Sequence, residues 1–434
     1  MLLDAPKPVR STLDNGLRVV CVPQPLLHTA AVSLHVRVGS RFETRELNGC
    51  SHFLEHMLFR GTPSFGSAHE QALALERLGG TLYAATHSDF GLMSLSLPPE
   101  NLEAALDIFA EVTMHPRFTA IELERAIIRE EILETLDDNG HQIDPDNLSR
   151  ALMFGDHPLG FPITGSVHTL QRMGVEQLRK HHALHYTAAN SVLCFAGAID
   201  PSECQTMARR LFGSMNSGHL VSSALASRTQ KLPRYRYVEN QMSQTDLRLA
   251  FRAPGEHDPQ EPAAEVLLRL LDDGMSTRLY ARVCDEQGLC YNVSADYETY
   301  EDDGVLDLGA LVQHARAPTV MRELCEIVSE IAREGPVDDE LEKTKMRHGW
   351  ESRAVLDDAD ALAEFHGLSV LADIADSVDA RHREIMSVTA EQVRDVARRI
   401  FRPDNVSGVA VGLLEESDKK QLEQIVKGFK EPRP

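Results

Sequence analysis

The same order of elements can be read twice along the 434 residues, on either side of a stretch without periodicity. The first half opens with "LRVVCV" and "AVSLHVRVG". In the latter, Val32, Leu34, Val36 and Val38 alternate with Ser33, His35 and Arg37, the period of a strand with one buried face. A helical segment ending at Gly61 comes next, then the strand pair "GGTLYAATHSDFGLMSLSLPP". In "PPENLEAALDIFAEV", Leu102, Ala105, Leu106 and Phe109 recur at helical spacing behind prolines suited to a helix start. The helix "TAIELERAIIREEILETLDD" and a closing strand in "NSVLCFAGAID" complete this half.

The interval "GSMNSGHLVSSALASRTQK" is rich in Ser, Gly and Ala and lacks periodicity, as a linker does. Beyond it the order returns. "TDLRLAFRAP" alternates as a strand, "QEPAAEVLLRLLDD" is a helix, and "GLCYNVSADYETY" with "GVLDLGALVQ" is another strand pair. Two helices, "APTVMRELCEIVSEIARE" and "VDDELEKTKMRHGWESRAVL", precede a closing strand "NVSGVAVGLL". Strand pairs with helices grouped between them favour layered α+β domains over a strictly alternating parallel sheet. The expectation is α+β: two structurally related domains, each a mainly antiparallel sheet packed against helices. They would occupy 1–215 and 232–434, with a linker at 216–231. The length alone calls for more than one core.

Composition narrows the function. No apolar run approaches the ~20 residues of a membrane span. The start, "MLLDAPKPVRSTLDNG", lacks the basic and apolar regions of a signal peptide, which fits a cytoplasmic protein, or a periplasmic one whose leader has been removed. Seven scattered cysteines without a C-x-x-C pair argue against a disulfide scaffold or a thiolate zinc site, and for a reducing compartment. A net charge of -22 disfavours nucleic acid, whose phosphates it would repel, and suits basic or unfolded polypeptide ligands.

Against this background "SHFLEHML", Ser51–Leu58, stands out: two histidines and a glutamate within an otherwise apolar helical run. His52 and His56 stand one turn apart on one face, where two imidazoles can bind one zinc ion at ~2.0–2.1 Å each. Glu55 lies beside them, placed to take a proton from an attacking water. With 19 His in the chain, an H-x-x-E-H string arises by chance roughly 0.07 times, so the string alone does not make a site. Catalytic zinc needs a third protein ligand. The helix "IELERAIIREEILETL" offers one, since Glu124, Ile127, Ile128 and Glu131 share a face and a carboxylate on an apolar face is costly unless paired or bound to metal. Glu130 points ~100° away. Glu134 shares the face loosely and stays open as the alternative ligand.

H-x-x-E-H reverses the usual zinc-protease order and is the inverzincin signature. "NGCSHFLEHMLFRGT", preceded by "GSRFE", resembles the pitrilysin and mitochondrial-processing-peptidase family of zinc metallopeptidases. "LDNGLRVV", "LERLGGTLYAATHSD", "HPLGFPITGS", "YTAAN" and "GMSTRLYARV…GLCYNV" extend the likeness along most of the chain. The resemblance implies a metallohydrolase fold of two related domains, with metal ligands in the first only. It assigns the third ligand to Glu131, 75 residues after His56, and a supporting carboxylate to Glu124, because "ERAIIREEI" matches the family's E-R-x-x-x-x-x-E. It implies one zinc per chain, held by His52, His56 and Glu131, with Glu55 as general base. Glu124 would orient a ligand histidine. Such chains pair into a clam-shell in which an unfolded peptide adds as a strand beside the zinc, here along "GGTLYAAT".

Two positions depart from the family pattern. Tyr83 stands where the family usually has Asn. The family's Arg–Tyr pair, seven residues apart and aimed at the partner's zinc, is here Cys284 and Tyr291, and a thiol supplies neither the charge nor the donors of a guanidinium. Arg278 and Arg282 lie nearby at the wrong spacing. The expected function is a zinc endopeptidase acting on unfolded peptides, with Tyr291 of a facing subunit as an extra oxyanion donor. A heterodimer with a related zinc-less chain is favoured over a homodimer. The alternative is a non-catalytic or peptide-holding subunit. Neither nucleic acid nor membrane is expected as a partner. "KHHALHY" repeats the i, i+4 histidine spacing at His181 and His185 without a carboxylate and is read as structural. His87 and Asp89 are read as ordinary polar side chains on the surface near the substrate strand, with tuning of specificity as the alternative, and Cys284 and Cys290 as plain thiols.

Overall fold

The computed structural model describes residues 5–374 and 377–430, which fall into two compact units. Unit 1 draws on Met1–Ile132, Phe161–Ala224 and Trp350–His382; unit 2 on Leu133–Gly160, Leu225–Gly349 and Arg383–Pro434. These are not the contiguous stretches 1–215 and 232–434 that the sequence suggests. Residues 133–160 are built into unit 2 and residues 350–382 into unit 1. Periodicity shows that a helix has an apolar face, not which sheet that face will cover.

The unit 1 sheet contains β1 (Val9–Thr12), β2 (Arg18–Pro23), β3 (Ala30–Val36), β4 (Thr81–Thr86), β5 (Gly91–Leu97) and β6 (Ser191–Gly197), in the order β1-β2-β6-β3-β5-β4. Only β2 and β6 run parallel. In unit 2, β7 (Arg234–Glu239), β8 (Thr245–Ala253), β9 (Cys290–Thr299), β10 (Gly304–Val312) and β11 (Val406–Gly412) lie in the order β7-β11-β8-β10-β9, with β7 and β11 as the parallel pair. Apart from β1, the two sheets follow one plan, the architecture expected of an α+β chain with two related domains.

Each sheet is covered on both faces. In unit 1, the helices Leu102–Met114 and Pro201–Phe212 pack on one face through Leu106, Phe109, Ala208 and Phe212. The helix Ala359–Ala372 closes the other, where Leu362, Ala363 and Leu371 meet Val20, Val22, Val192 and Cys194. At ~1.5–3 kcal/mol for each fully buried Val or Leu, this face is a substantial part of the unit's stability. It also revises the reading of β3 as half-buried. All seven of its residues are buried, because Ser33 and His35 point at the helix rather than at solvent. Ser33 Oγ donates to Ala363 O at 3.2 Å, and a Cβ on Gly367 would come within 2.2 Å of His35 Nδ1. In unit 2 the corresponding place is taken by the helix Pro145–Phe154, whose Leu148 packs on Val409 and Val411. Arg150 pairs there with Glu298 at 2.9 Å and Asp307 at 3.5 Å. Among the described residues, no helix is long and apolar enough to cross a membrane.

Candidate metal centre

The motif lies on α1 (Cys50–Leu58), a helix with an unusual start. Gly49 at its N-cap has φ +94°, and a Cβ there would sit 2.7 Å from Thr164 O, so only glycine fits. It has no side chain to cap the first turn. The buried carboxylate of Glu43 does so instead, accepting from Gly49 N at 2.8 Å, Ser51 N at 2.6 Å and Asn48 Nδ2 at 3.1 Å. Burial pushes Glu43 up, and those donors pull against it. Cys50, Ser51, His52, Phe53, Leu54, Met57 and Leu58 are all buried, leaving Glu55 and His56 as the partly open side. A helix buried almost all round explains why its ionisable groups sit among apolar neighbours.

The acidic helix Ile121–Glu134 supplies the remaining groups. Its buried residues are Glu124, Ile128 and Ile132, at i, i+4 and i+8. Ile127, expected on that face, is 43% exposed, so isoleucine frames the carboxylates on one side only. Glu131 Oε1 lies 3.3 Å from His52 Nε2 and Glu131 Oε2 3.7 Å from His56 Nε2. Among the described residues, His52, His56 and Glu131 form the one group of three or more that could hold a metal, with one ligand atom of each within 4.8 Å of the others. Two tetrahedral zinc ligands at ~2.0–2.1 Å are themselves ~3.3 Å apart, so the spacing fits a divalent ion with little rearrangement. Glu130 is exposed beside Arg129, and Glu134 is exposed and outside the group.

Protonation favours the same use. Burial and the adjacent His52 hold His56 below the usual imidazole range, which leaves a lone pair for a metal. The contact from His52 holds Glu131 below the usual carboxylate range. His56 Nδ1 meets Glu124 Oε2 at 2.9 Å, which turns Nε2 toward Glu131. The other Glu124 oxygen contacts Arg60. Among the described residues His52 has no such orienting group, since its Nδ1 is buried without a hydrogen-bond partner. Glu55 Oε2 accepts a 2.7 Å hydrogen bond from Thr86 Oγ1, at the end of the edge strand β4.

Arg60, Thr86 and Glu43 are the residues that sequence reasoning missed. Arg60 had a signal, since it stands four residues after His56. Glu43 and Thr86 lie in "GSRFE" and "GGTLYAATHSD", which carried the resemblance without a role.

Other candidates fall elsewhere. Tyr291 belongs to unit 2, is the second residue of β9 and is 94% exposed. Arg278 is held by both Glu340 oxygens at 2.8 and 2.6 Å, and Arg282 by Glu323, Glu326 and Glu330 at 2.6 to 2.8 Å. Both guanidiniums are committed and cannot replace the Arg absent at 284. Cys284 Sγ lies 3.7 Å from Cys290 Sγ, and all seven cysteines are free. His181 Nε2 is 2.9 Å from Ser51 Oγ, and His185 Nδ1 donates to Arg37 O at 2.7 Å, so these two fasten the helix Val175–His185 in place. His87 stacks on Phe90 at 4.2 Å, and Asp89 lies 3.9 Å from Arg41.

Comparison with known proteins supports the same reading. Residues 18–166 match the family described as Insulinase (Peptidase family M16), and residues 172–347 match Peptidase M16 inactive domain. A Mycobacterium tuberculosis protein named as an uncharacterized zinc protease is 32% identical over 402 residues, covering 91% of each chain. The uncharacterized zinc protease YmxG of Bacillus subtilis is 30% identical over 400 residues, covering 91% of this chain and 96% of its own. Among solved structures, a Helicobacter pylori protease superposes with TM-score 0.83 at 21% identity, over 94% of this chain and 100% of that one. A Pseudomonas fluorescens structure described as a peptidase M16 inactive domain gives 0.86 at 20%, over 94% and 98%.

Proposed function

The chain belongs to the M16 peptidase family, and from that premise we propose that it is a zinc-dependent endopeptidase hydrolysing unfolded peptides. The observation that carries this reading is the convergence of His52, His56 and Glu131 beside the carboxylate of Glu55. Zinc at these ligands would supply a Lewis acid to polarise the scissile carbonyl and would acidify water. The chain's own groups do the rest. Glu55 accepts the proton of the attacking water and returns it to the leaving amine. Thr86 ties down one Glu55 oxygen and leaves the other free for that exchange. Glu124 fixes the ring of His56. β4, the outermost strand of its sheet, offers an open edge along which an extended peptide can pair. Seven free thiols suit a reducing compartment such as the cytoplasm.

A complete site on this reading includes a second, related chain that lacks zinc ligands and brings an Arg–Tyr pair, closing a clam-shell chamber. Support comes from Tyr291, exposed without a free guanidinium near it in sequence. The same observation favours one rival, a subunit that holds peptides without cutting them. Metal analysis with a fluorogenic peptide assay, alone and with the related chain, separates the two. Bound zinc with chelator-sensitive cleavage supports the enzyme. Bound zinc without cleavage, even beside the partner, establishes the rival. A lone, fully active homodimer removes the need for a second chain.

A further inference from the structure

We propose that Arg60 is a positioning residue for the metal centre, acting through Glu124 on the ring of His56. The proposal rests on the metal-centre reading, and its test lets the two fail separately.

Arg60 follows α1 where the helix has just ended. Its N–H donates to Met57 O at 3.2 Å, and Gly61 turns the chain at φ +98°. A long cationic side chain at such a place can ordinarily swing into water. Here it does not: the side chain is only 21% exposed, and Nε is buried without a hydrogen-bond partner among the described residues. Leaving a donor unpaired is unfavourable, so a stronger contact must hold the guanidinium in. That contact is Glu124 Oε1, on a carboxylate that is itself 3% exposed.

Among the described residues, Arg60 and His56 are the side-chain partners of Glu124, one on each oxygen. The three groups therefore form a chain from guanidinium to carboxylate to imidazole. A guanidinium donates along directions fixed by its planar frame, whereas an ammonium acts as a point charge. With Oε1 fixed, Oε2 is held where it accepts from His56 Nδ1–H, and the opposite nitrogen presents its lone pair toward Glu131. Without Arg60, the carboxylate has one anchor left, the ring that it is meant to orient. His52 gives the contrast: its Nε2 also faces Glu131, but its Nδ1 is buried without a hydrogen-bond partner among the described residues, so no comparable chain stands behind its ring. The dependence on Arg60 should be confined to His56.

The test uses the full chain and four variants: Arg60→Met, which keeps the apolar stem, Arg60→Lys, Glu124→Gln, and Arg60→Met with Glu124→Gln. Zinc affinity is measured by competition with a chromophoric chelator. Arg60→Met should bind ~10-fold more weakly, and Arg60→Lys should recover part of the loss. The double variant should be no weaker than Glu124→Gln alone, because Arg60 has no route except Glu124. A far-UV circular dichroism spectrum of the metal-free Arg60→Met protein matching that of wild type below its melting transition would show that the loss is not one of folding. Nitrogen-15 histidine spectra of the metal-free proteins should show His56 as the Nδ1–H tautomer in wild type and as a mixture in Arg60→Met. Unchanged affinity in Arg60→Met, or additive losses in the double variant, would overturn the proposal. If wild type binds no zinc, the metal reading falls, and identical His56 tautomer populations with and without Arg60 would then sink the relay as well.

Discussion

His56 Nδ1 lies 2.9 Å from Glu124 Oε2 while the far nitrogen of the same ring faces Glu131 at 3.7 Å, so one helix grips one imidazole from both edges. On the proposed reading the two glutamates have different tasks, and their loss should read differently. Glu131→Ala removes a ligand, and zinc should be lost on dialysis against a mild chelator. Glu124→Ala removes only the group behind a ligand and should weaken zinc by ~10- to 100-fold. Equal zinc retention in the two variants would contradict the assignment of Glu131.

Glu55→Gln should keep zinc at wild-type stoichiometry and lose ~10²- to 10⁴-fold in kcat. Thr86→Val, which removes the hydrogen bond to Glu55, should lower kcat several-fold and leave KM nearly unchanged. Steady-state kinetics with one fluorogenic peptide measures both. Full activity in Glu55→Gln would remove the general base from the mechanism.

Acid should destabilise unit 1 through its sheet. Burial, aided by the nearby His87, depresses His35 to about 3, and burial with the charge of Arg10 depresses His366 to about 4. Both folded values lie below the ~6.5 of an unfolded histidine. The unfolded chain therefore binds more protons, and stability is complete above ~6.5 and declines as pH falls toward the folded values. Each histidine contributes a slope of up to ~1.4 kcal/mol per pH unit in that window. Urea midpoints at pH 7.5 and 5 should fall accordingly, and His35→Gln should flatten the fall. An unaltered slope in that variant would show that His35 is not its source.

Gly49→Ala should destabilise the protein by ~1–3 kcal/mol, since the new methyl meets Thr164 O on a backbone that favours glycine. Urea unfolding followed by circular dichroism reads the change. A neutral result would show that the loop facing Gly49 yields without cost.

The sequence held the candidate metal-binding group openly, because spacing on a helix is local information. His52 and His56 face one way for any helix, and the seven-residue step from Glu124 to Glu131 brings two carboxylates to one side of another. Contacts made by the tertiary fold were not open to such reading. Arg60, just past the end of one helix, meets Glu124 on another, and Thr86 meets Glu55 from a strand. Ser33 and His35 alternate as a solvated face would, yet they lie beneath a helix that comes more than 300 residues later. The same distance hid the exchange of segments between the units.

That exchange bears on how the chain is born. Every residue of the candidate metal group has been synthesised by residue 131, but the helix Ala359–Ala372 that roofs the unit 1 sheet emerges only in the last fifth of translation. Until then Val20, Val22, Val192 and Cys194 form a bare apolar wall on the nascent chain. Holding that wall apart from other chains falls to chaperones or to slow elongation. A gene cut after the linker would encode the whole metal centre and still deliver an aggregate.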